Sequence, residues 1–163
     1  MKTLLIVFHS MTDGTRQMAA AAADAAAAEK GVRVLFQKAE ETRPEQVLQA
    51  DGYIFATPEN LAAMSGMMKD FFDRCYYAAL DRVNGRPYAA LVCAGSDGSN
   101  AVRQIERIAT GWRLKAMADP VIICTQAQTP KTILAKKNIT QDALMRCRDL
   151  GTSLAAGLAM GIY

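Results

Sequence analysis

The stretch TLLIVFHSMTDGT, residues 3–15, decides the fold of this chain. Its first half, Thr3–Phe8, is a continuous apolar run with β-branched residues, which is typical of a strand buried on both faces of a parallel sheet. A polar turn follows, and a helix of strong propensity begins at Thr15. A buried strand, a short turn and a helix together predict the opening of a β-α-β unit.

Outward from this stretch, strand-like and helix-like segments alternate along all 163 residues. The predicted strands are residues 3–8, 32–37, 52–56, 88–94 and 121–125, and the predicted helices are residues 15–30, 44–49, 65–81, 99–111 and 140–160. Strict alternation predicts parallel strands with right-handed crossovers. We therefore expect one α/β domain over residues 1–163, a three-layer α/β/α structure whose five-stranded parallel sheet has the order 2-1-3-4-5. Only the polar connection 125–137 shows no clear periodicity.

The overall composition excludes several classes of protein. The net charge is +3, and no run of Lys or Arg is present to follow a nucleic-acid backbone, so we expect no nucleic-acid partner. No uncharged apolar stretch approaches the roughly 20 residues that a membrane span needs, so we expect no membrane insertion.

Four cysteines and one histidine limit the redox and metal chemistry. Cys75, Cys93, Cys124 and Cys147 are far apart and form no C-x-x-C motif, so we expect buried or half-buried free thiols in a reducing, cytoplasmic compartment. Neither clustered thiolates nor a set of histidines is present, and we expect no metal site.

Three polar loops follow the carboxyl ends of predicted strands. In a doubly wound sheet, ligands bind at that edge, near the point where the strand order reverses. The loops are residues 10–15, 57–66 and 95–100, and all are rich in Gly, Ser, Thr, Asn or Asp. The three loops together therefore form the predicted ligand site.

The first loop has the composition of a phosphate cradle. Ser10, Thr12 and Thr15 place three hydroxyls at a helix start, where free N–H groups and the positive end of the helix dipole attract anions. Helix capping by Thr12 or Asp13 is the alternative, and it explains one such residue well but three poorly. The G-K-[ST] ending of a nucleotide-hydrolysing P-loop and the G-x-G-x-x-G dinucleotide motif are both absent.

The S-x-T-x-x-T pattern of this loop resembles the FMN-phosphate loop of flavodoxins and flavodoxin-like NAD(P)H oxidoreductases, and the preceding His9-Ser10 pair is similar to the oxidoreductase branch. The resemblance assigns Ser10, Thr12, Asp13, Gly14 and Thr15 to the phosphate of FMN. The family usually has Gly-Asn where this chain has Asp13-Gly14. A carboxylate is unfavourable near a phosphate unless it points away, and Arg16 can offset it.

The second loop carries the pattern P-x(6)-S-G-x-x-K-x-F-x-D-R over residues 58–74, which resembles the flavin-ring loop of FMN reductases. Leu61 and Met64 are expected to cover the ring, while backbone groups of Glu59 and Asn60 reach its polar edge. Core packing is the alternative for the methionines, and we accept it for Met67 or Met68 but not for Met64. The resemblance also places Pro58, Ser65 and Gly66 at the ring.

The third loop is expected to contact the pyrimidine side of the flavin, as the equivalent loop does in the family. The candidate residues are Ala94, Gly95, Ser96, Asp97 and Gly98. Asp97 either faces the ring or caps the helix that begins at Ser99. Trp112 and the Tyr76–Tyr77 pair lie away from the loops in sequence and are expected in the core or a subunit interface.

The resemblance implies an FMN-dependent NAD(P)H oxidoreductase. A nicotinamide donor passes electrons through FMN to a quinone-like or other small acceptor, and no catalytic side chain stands out because the cofactor carries the chemistry. The alternative is a flavodoxin-type electron carrier without its own nicotinamide reaction. Such carriers usually have acidic surfaces, which the sequence pI near 8.7 disfavours. We also expect a homodimer or higher homo-oligomer, and we interpret His9 as a structural hydrogen-bonding residue.

Overall fold

The first strand lies inside a sheet with helices on both faces. The computed structural model describes residues 1–163. The strands are β1 (Lys2–Phe8), β2 (Val32–Lys38), β3 (Gly52–Asn60), β4 (Ala63–Met64), β5 (Pro87–Ala94), β6 (Lys115–Ala116) and β7 (Val121–Cys124). The helices are α1 (Gly14–Ala27), α2 (Pro44–Gln49), α3 (Gly66–Ala79), α4 (Ser99–Gly111), α5 (Pro130–Leu134) and α6 (Gln141–Met160).

The sheet keeps the predicted order with a divided last strand. Parallel pairing runs β2-β1-β3-β5, and both β6 and β7 pair with the outer side of β5. Tyr88 pairs with Ala116 and Leu91 with Val121, so the edge chain contains two more residues than β5 between these pairs. Pro120 lies in that interval and has no N–H to donate, which is tolerated at a sheet edge. The prediction of five strands is therefore wrong in number, because the fifth strand is interrupted and β4 is added.

The apolar core has two halves because side chains alternate across the sheet. Leu4 and Ile6 of β1 pack under α1 and α6 in one cluster of 24 buried residues. Leu5 and Val7 point to the other face, into a cluster of 22 buried residues with α3 and α4. Burial on both faces explains why β1 has no polar alternation.

Close contact between α1 and α6 explains the alanine-rich stretch in α1. A Cβ added at Gly151 of α6 would collide with the Ala22 backbone of α1, so the two helices approach more closely than larger side chains allow. Ala19, Ala22 and Ala26 are fully buried in this contact. None of the helices combines the length and apolarity that crossing a membrane requires.

Some predicted boundaries and environments need correction. The first helix ends at Ala27 rather than residue 30. The segment predicted as a polar connection, 125–137, contains α5. Cys75, Cys93 and Cys147 are buried as expected, but Cys124 is exposed because it ends the short edge strand β7.

Candidate functional site

The loop between β1 and α1 presents a run of free amide groups. None of the backbone N–H groups from Ser10 to Arg16 donates a hydrogen bond within the protein, and the first donor of the helix is Gln17 N–H, to the Asp13 carbonyl at 3.1 Å. Asp13 is the residue before α1 and has a φ of 73°, with no side chain capping the helix. Helix capping by Thr12 or Asp13 therefore does not occur. Free N–H groups at the positive end of a helix dipole are typical of loops that bind anions.

The three hydroxyls of this loop have different environments. Thr15 Oγ1 is buried and has no hydrogen-bond partner. Ser10 is half-buried, and its hydroxyl makes no hydrogen bond within the protein. Thr12 Oγ1 accepts a hydrogen bond from Lys137 Nζ at 3.2 Å. A buried hydroxyl without a partner is costly, so the Thr15 environment favours an external acceptor.

The Asp13 carboxylate is held away from the loop amides. It accepts hydrogen bonds from Arg16, including one from Nη2 at 3.1 Å, and from Gln17 Nε2 at 3.1 Å. Lys136 Nζ lies 3.6 Å away. The hydrogen bond from Arg16 is the main cause that lowers the pKa of Asp13, so the carboxylate stays ionised and neutralised by its neighbours. The predicted offset by Arg16 is confirmed.

The second loop is a tight hairpin rather than an open loop. β3 continues to Asn60 and pairs antiparallel with β4, Glu59 opposite Met64 and Asn60 opposite Ala63. Leu61 and Ala62 form the two-residue turn with φ values of 50° and 60°. Such turns favour Asn-Gly, and left-handed conformations cost other residues about 1–2 kcal/mol each. Leu61 is nevertheless fully exposed, so strain and an apolar side chain coincide at the hairpin tip.

Met64, Ser65 and Gly66 have structural roles at the end of the hairpin and the start of α3. Met64 is 6% exposed and belongs to the core cluster that includes Met68, so rejecting core packing for Met64 is wrong. The Ser65 hydroxyl accepts from Met68 N–H at 3.3 Å and caps α3. Gly66 is the first residue of α3. These residues hold the hairpin in place through packing and capping.

The third loop is organised by Glu59 from the hairpin. The Glu59 carboxylate accepts from Gly98 N–H at 2.8 Å and Ala101 N–H at 3.0 Å, so it satisfies the start of α4. Sequence reasoning assigned only the Glu59 backbone a role and missed this contact. Asp97 binds Ser99 N–H at 3.3 Å and the Ser99 hydroxyl at 2.8 Å, which favours the capping alternative over contact with a ring. Asp97 and Gly98 thus build the helix start.

The three loops surround one cavity of about 540 Å³ at the carboxyl edge of the sheet. That volume is in the usual range for small-molecule sites. Predicted site residues on its wall are Ser10, Thr12, Gly14, Thr15, Pro58, Glu59, Asn60, Leu61, Ala94, Gly95 and Ser96. Predicted residues outside its wall are Asp13, Met64, Ser65, Gly66, Asp97 and Gly98. The last six support the loops or lie on a neighbouring surface.

Most of the remaining wall comes from residues 125–137, which we call the strap. Thr125, Ala127, Ile133, Leu134 and Lys137 line the cavity. α5 buries none of its residues, and the Thr129 hydroxyl caps it by accepting from Thr132 N–H at 3.3 Å. The sequence signal for α5 is Thr129-Pro130, because Thr is common as an N-cap and Pro at the first position of a helix. The sequence analysis missed this signal.

His9 lies beside the cavity, in a neighbouring pocket of about 520 Å³ whose wall also includes Lys38 and Glu40. Its backbone N–H donates to Ala56 carbonyl at 3.1 Å, but its Nδ1 is buried and has no partner. Burial lowers the pKa of His9. The side chain therefore does not act through Nδ1 as the structural hydrogen-bonding residue that we expected.

The cavity wall includes neither Trp112 nor the Tyr76–Tyr77 pair. Trp112 is 4% exposed and packs in the core with Phe71 and Phe72. Tyr76 and Tyr77 are exposed on α3. No aromatic side chain lines the cavity.

Comparison with known proteins gives one family match and partial relatives. A family model described as NADPH-dependent FMN reductase matches residues 1–129. A flavodoxin of Aquifex aeolicus is 30% identical over 98 residues, which cover 60% of this chain and 53% of the relative. An NAD(P)H dehydrogenase (quinone) of Acidithiobacillus ferrooxidans is 31% identical over 94 residues, 45% of this chain and 47% of the relative. The chain spans about half the length of the curated relatives it matches.

Solved structures give the same fold. Oxidised flavodoxin 1 from Bacillus cereus matches with a TM-score of 0.78 and 15% identity, covering 96% of this chain and 99% of that chain. The predicted flavodoxin-like fold is confirmed.

Proposed function

Because the chain belongs to the NADPH-dependent FMN reductase family, we propose that it binds FMN and acts as an NAD(P)H-dependent oxidoreductase with a quinone-like or other small electron acceptor. One relative is named as an NAD(P)H dehydrogenase (quinone), which supports this class of donor and acceptor. The family match covers all three loops and the first five residues of the strap, 125–129.

The observation that carries the proposal is the free polar surface after β1. A monoester phosphate needs several donors, and the N–H groups of residues 10–16 are all free to donate. The buried Thr15 hydroxyl adds a donor that has no protein partner. Because five residues of this loop lie on the wall of the same cavity (Ser10, Met11, Thr12, Gly14 and Thr15), we assign the phosphate of FMN to this end.

The other end of the cavity fits a flat ring. Pro58 and Leu61 offer apolar contact on the cavity wall. Gly95 also lines the cavity, and a Cβ there would lie 3.2 Å from the Ala127 carbonyl oxygen, so a larger residue would crowd the strap. When bound, FMN supplies hydride acceptance and onward electron transfer. The residues of this chain hold and orient the cofactor and limit the access of water, and none needs to act as nucleophile or general acid.

A flavodoxin-type carrier is the second candidate, because one relative is named a flavodoxin. Two observations favour the oxidoreductase. No aromatic side chain lines the cavity, so a ring held by Pro58 and Leu61 keeps a face open for a second ring. The net charge of +3 also differs from the acidic surfaces with which carriers dock basic partners.

Anaerobic mixing tests the proposal. The purified protein is loaded with FMN, and NADH or NADPH is added while the visible absorbance of the flavin is followed. Rapid bleaching, reversed by a quinone, supports the oxidoreductase and identifies the preferred donor. FMN binding without bleaching supports the carrier instead, and a failure to bind FMN overturns both.

Oligomeric state and location belong to the same proposal. We propose that the protein forms a homo-oligomer through the end of α3, where Tyr76, Tyr77 and the following residue Leu80 expose apolar surface. Light scattering measures the mass in solution, and a monomer contradicts it. The four free thiols support a cytoplasmic location, which cell fractionation measures.

A further inference from the structure

We propose that Lys137, on the strap, makes the cavity select a phosphorylated flavin over riboflavin. This inference rests on the proposed FMN site. Lys137 lies beyond residues 1–129, which the family model matches, so family membership assigns it no role. Its case comes from four features of its position.

The first feature is its location at the phosphate loop. Lys137 N–H donates to the Thr12 carbonyl at 2.7 Å, and Lys137 Nζ donates to Thr12 Oγ1 at 3.2 Å. A Cβ added at Gly14 would lie 3.3 Å from Lys137 Cβ, so the lysine stem packs against the start of α1. The ammonium therefore sits among the groups assigned to the phosphate.

The second feature is the absence of a negative partner. Lys137 Nζ donates to three neutral oxygens: Thr12 Oγ1, the Ile133 carbonyl at 2.8 Å and the Ala135 carbonyl at 2.6 Å. No carboxylate lies within ion-pair distance of it, although the side chain is half-buried. A half-buried charge without a counter-ion is unfavourable, and a phosphate dianion would neutralise it.

The third feature is that the neighbouring cations lie outside the cavity wall and share one carboxylate. Arg16 and Lys136 both pair with Asp13, which lies outside the cavity wall. Lys137 is therefore the one cationic side chain on the cavity wall. It supplies the positive charge that the wall residues of the first loop lack. Because Thr12 Oγ1 accepts from the ammonium, its own O–H is free to donate towards an anion.

The fourth feature is rigidity. Gln17 Nε2 donates to the Lys137 carbonyl at 2.7 Å, and Gln17 Oε1 accepts from Ile139 N–H at 3.1 Å. One amide side chain on α1 thus holds the chain on both sides of residue 138. The charge is held in place before the ligand arrives, which reduces the ordering cost of binding.

The test compares FMN with riboflavin, which lacks the phosphate, in the Lys137→Met, Lys137→Arg and Lys136→Met variants. Lys137→Met keeps the apolar stem and removes the charge. We expect it to raise the Kd for FMN about 10- to 100-fold, the usual effect of losing a charge-assisted contact, and to change the Kd for riboflavin by less than about twofold. Lys137→Arg should recover part of the preference, and Lys136→Met should retain it.

Equal losses of FMN and riboflavin affinity in Lys137→Met would overturn the inference and leave a structural role for the strap. An unchanged FMN affinity would also overturn it. If riboflavin binds too weakly to titrate, the dependence of the FMN Kd on NaCl decides: it should be weaker in Lys137→Met, and an equal dependence contradicts the inference. Failure of the wild-type protein to bind FMN refutes the proposed function instead.

Discussion

The change Thr15→Val tests the role of the buried hydroxyl in the phosphate loop. Valine keeps the β-branched shape and replaces the hydroxyl with a methyl group. Thr15 is 1% exposed, and its hydroxyl has no hydrogen-bond partner in the protein. An unsatisfied buried polar group costs about 1–3 kcal/mol, so the FMN-free variant should be more stable than the wild type by about 1 kcal/mol. For a domain of this size, 1 kcal/mol corresponds to a rise in Tm of about 2–4 °C.

The same substitution should weaken FMN binding. A hydrogen bond to a charged group contributes about 1.5–3 kcal/mol, so the loss predicts a Kd about 10- to 100-fold higher. Opposite signs for stability and affinity distinguish a ligand-directed hydroxyl from a structural one. The measurements are FMN titration by flavin fluorescence and thermal unfolding without FMN.

Thr152→Val provides the control, because Thr152 is exposed on α6 and lies far from the cavity in the fold. It should change neither quantity measurably. If Thr15→Val destabilises the FMN-free protein and leaves the FMN affinity within about twofold of the wild type, the assignment of Thr15 to the phosphate is wrong.

Three further substitutions test the supporting structure. Gly98→Ala should destabilise the protein by more than about 1 kcal/mol in thermal unfolding, because Gly98 has a φ of 87° and a Cβ there would lie 2.7 Å from Ile122; an unchanged Tm contradicts this. Leu61→Gly should stabilise the protein by about 1 kcal/mol in denaturant titration, because glycine relieves the left-handed strain and the fully exposed leucine side chain has no burial to lose. Destabilisation would show that the Leu61 side chain packs against other residues. The lowered pKa of Asp13 means that its ion pair stabilises the fold above the ordinary pKa of 3.8 and loses this effect as the pH falls through the folded value. In Asp13→Asn, the free energy of unfolding should therefore fall less steeply below about pH 3.8 than in the wild type. An unchanged dependence of stability on pH would count against the ion pair.

The sequence predicts the main elements because their signals are local. Strand β1 has a continuous apolar run, and α2 and α4 have the predicted bounds of residues 44–49 and 99–111. Alternation and crossover handedness leave only a few possible strand orders, and 2-1-3-4-5 is one of the common doubly wound ones. The divided edge strand was not predicted, because β6 has only two residues and no periodicity.

The hairpin at the second loop was missed for a different reason. Its turn residues, Leu61 and Ala62, are not the Asn-Gly or Asp-Gly pairs that indicate such turns. Without the hairpin, the sequence places Met64 in an open loop before a helix. In the structure Met64 pairs with Glu59 in the hairpin and is buried. The environment of Met64 depends on a conformation that local residue preference disfavours.

Contacts between distant residues account for what sequence reasoning missed in the site. Thr12 and Lys137 are 125 positions apart, and their contact depends on how the strap crosses the sheet edge. The Glu59 carboxylate reaches the start of α4 across 39 positions. The loop between β1 and α1, by contrast, could be located from the sequence because its hydroxyls, glycine and helix start are contiguous.

The central claim is that the backbone amides of residues 10–16 hold the phosphate of FMN. Its most direct test is an amide ¹H–¹⁵N NMR titration of the FMN-free protein with FMN. The amide protons from Ser10 to Arg16 should shift downfield on binding, as expected when free N–H groups donate to a phosphate, and riboflavin should leave most of them unchanged. Saturable FMN binding that leaves these amides unshifted, or no binding at all, would contradict the claim.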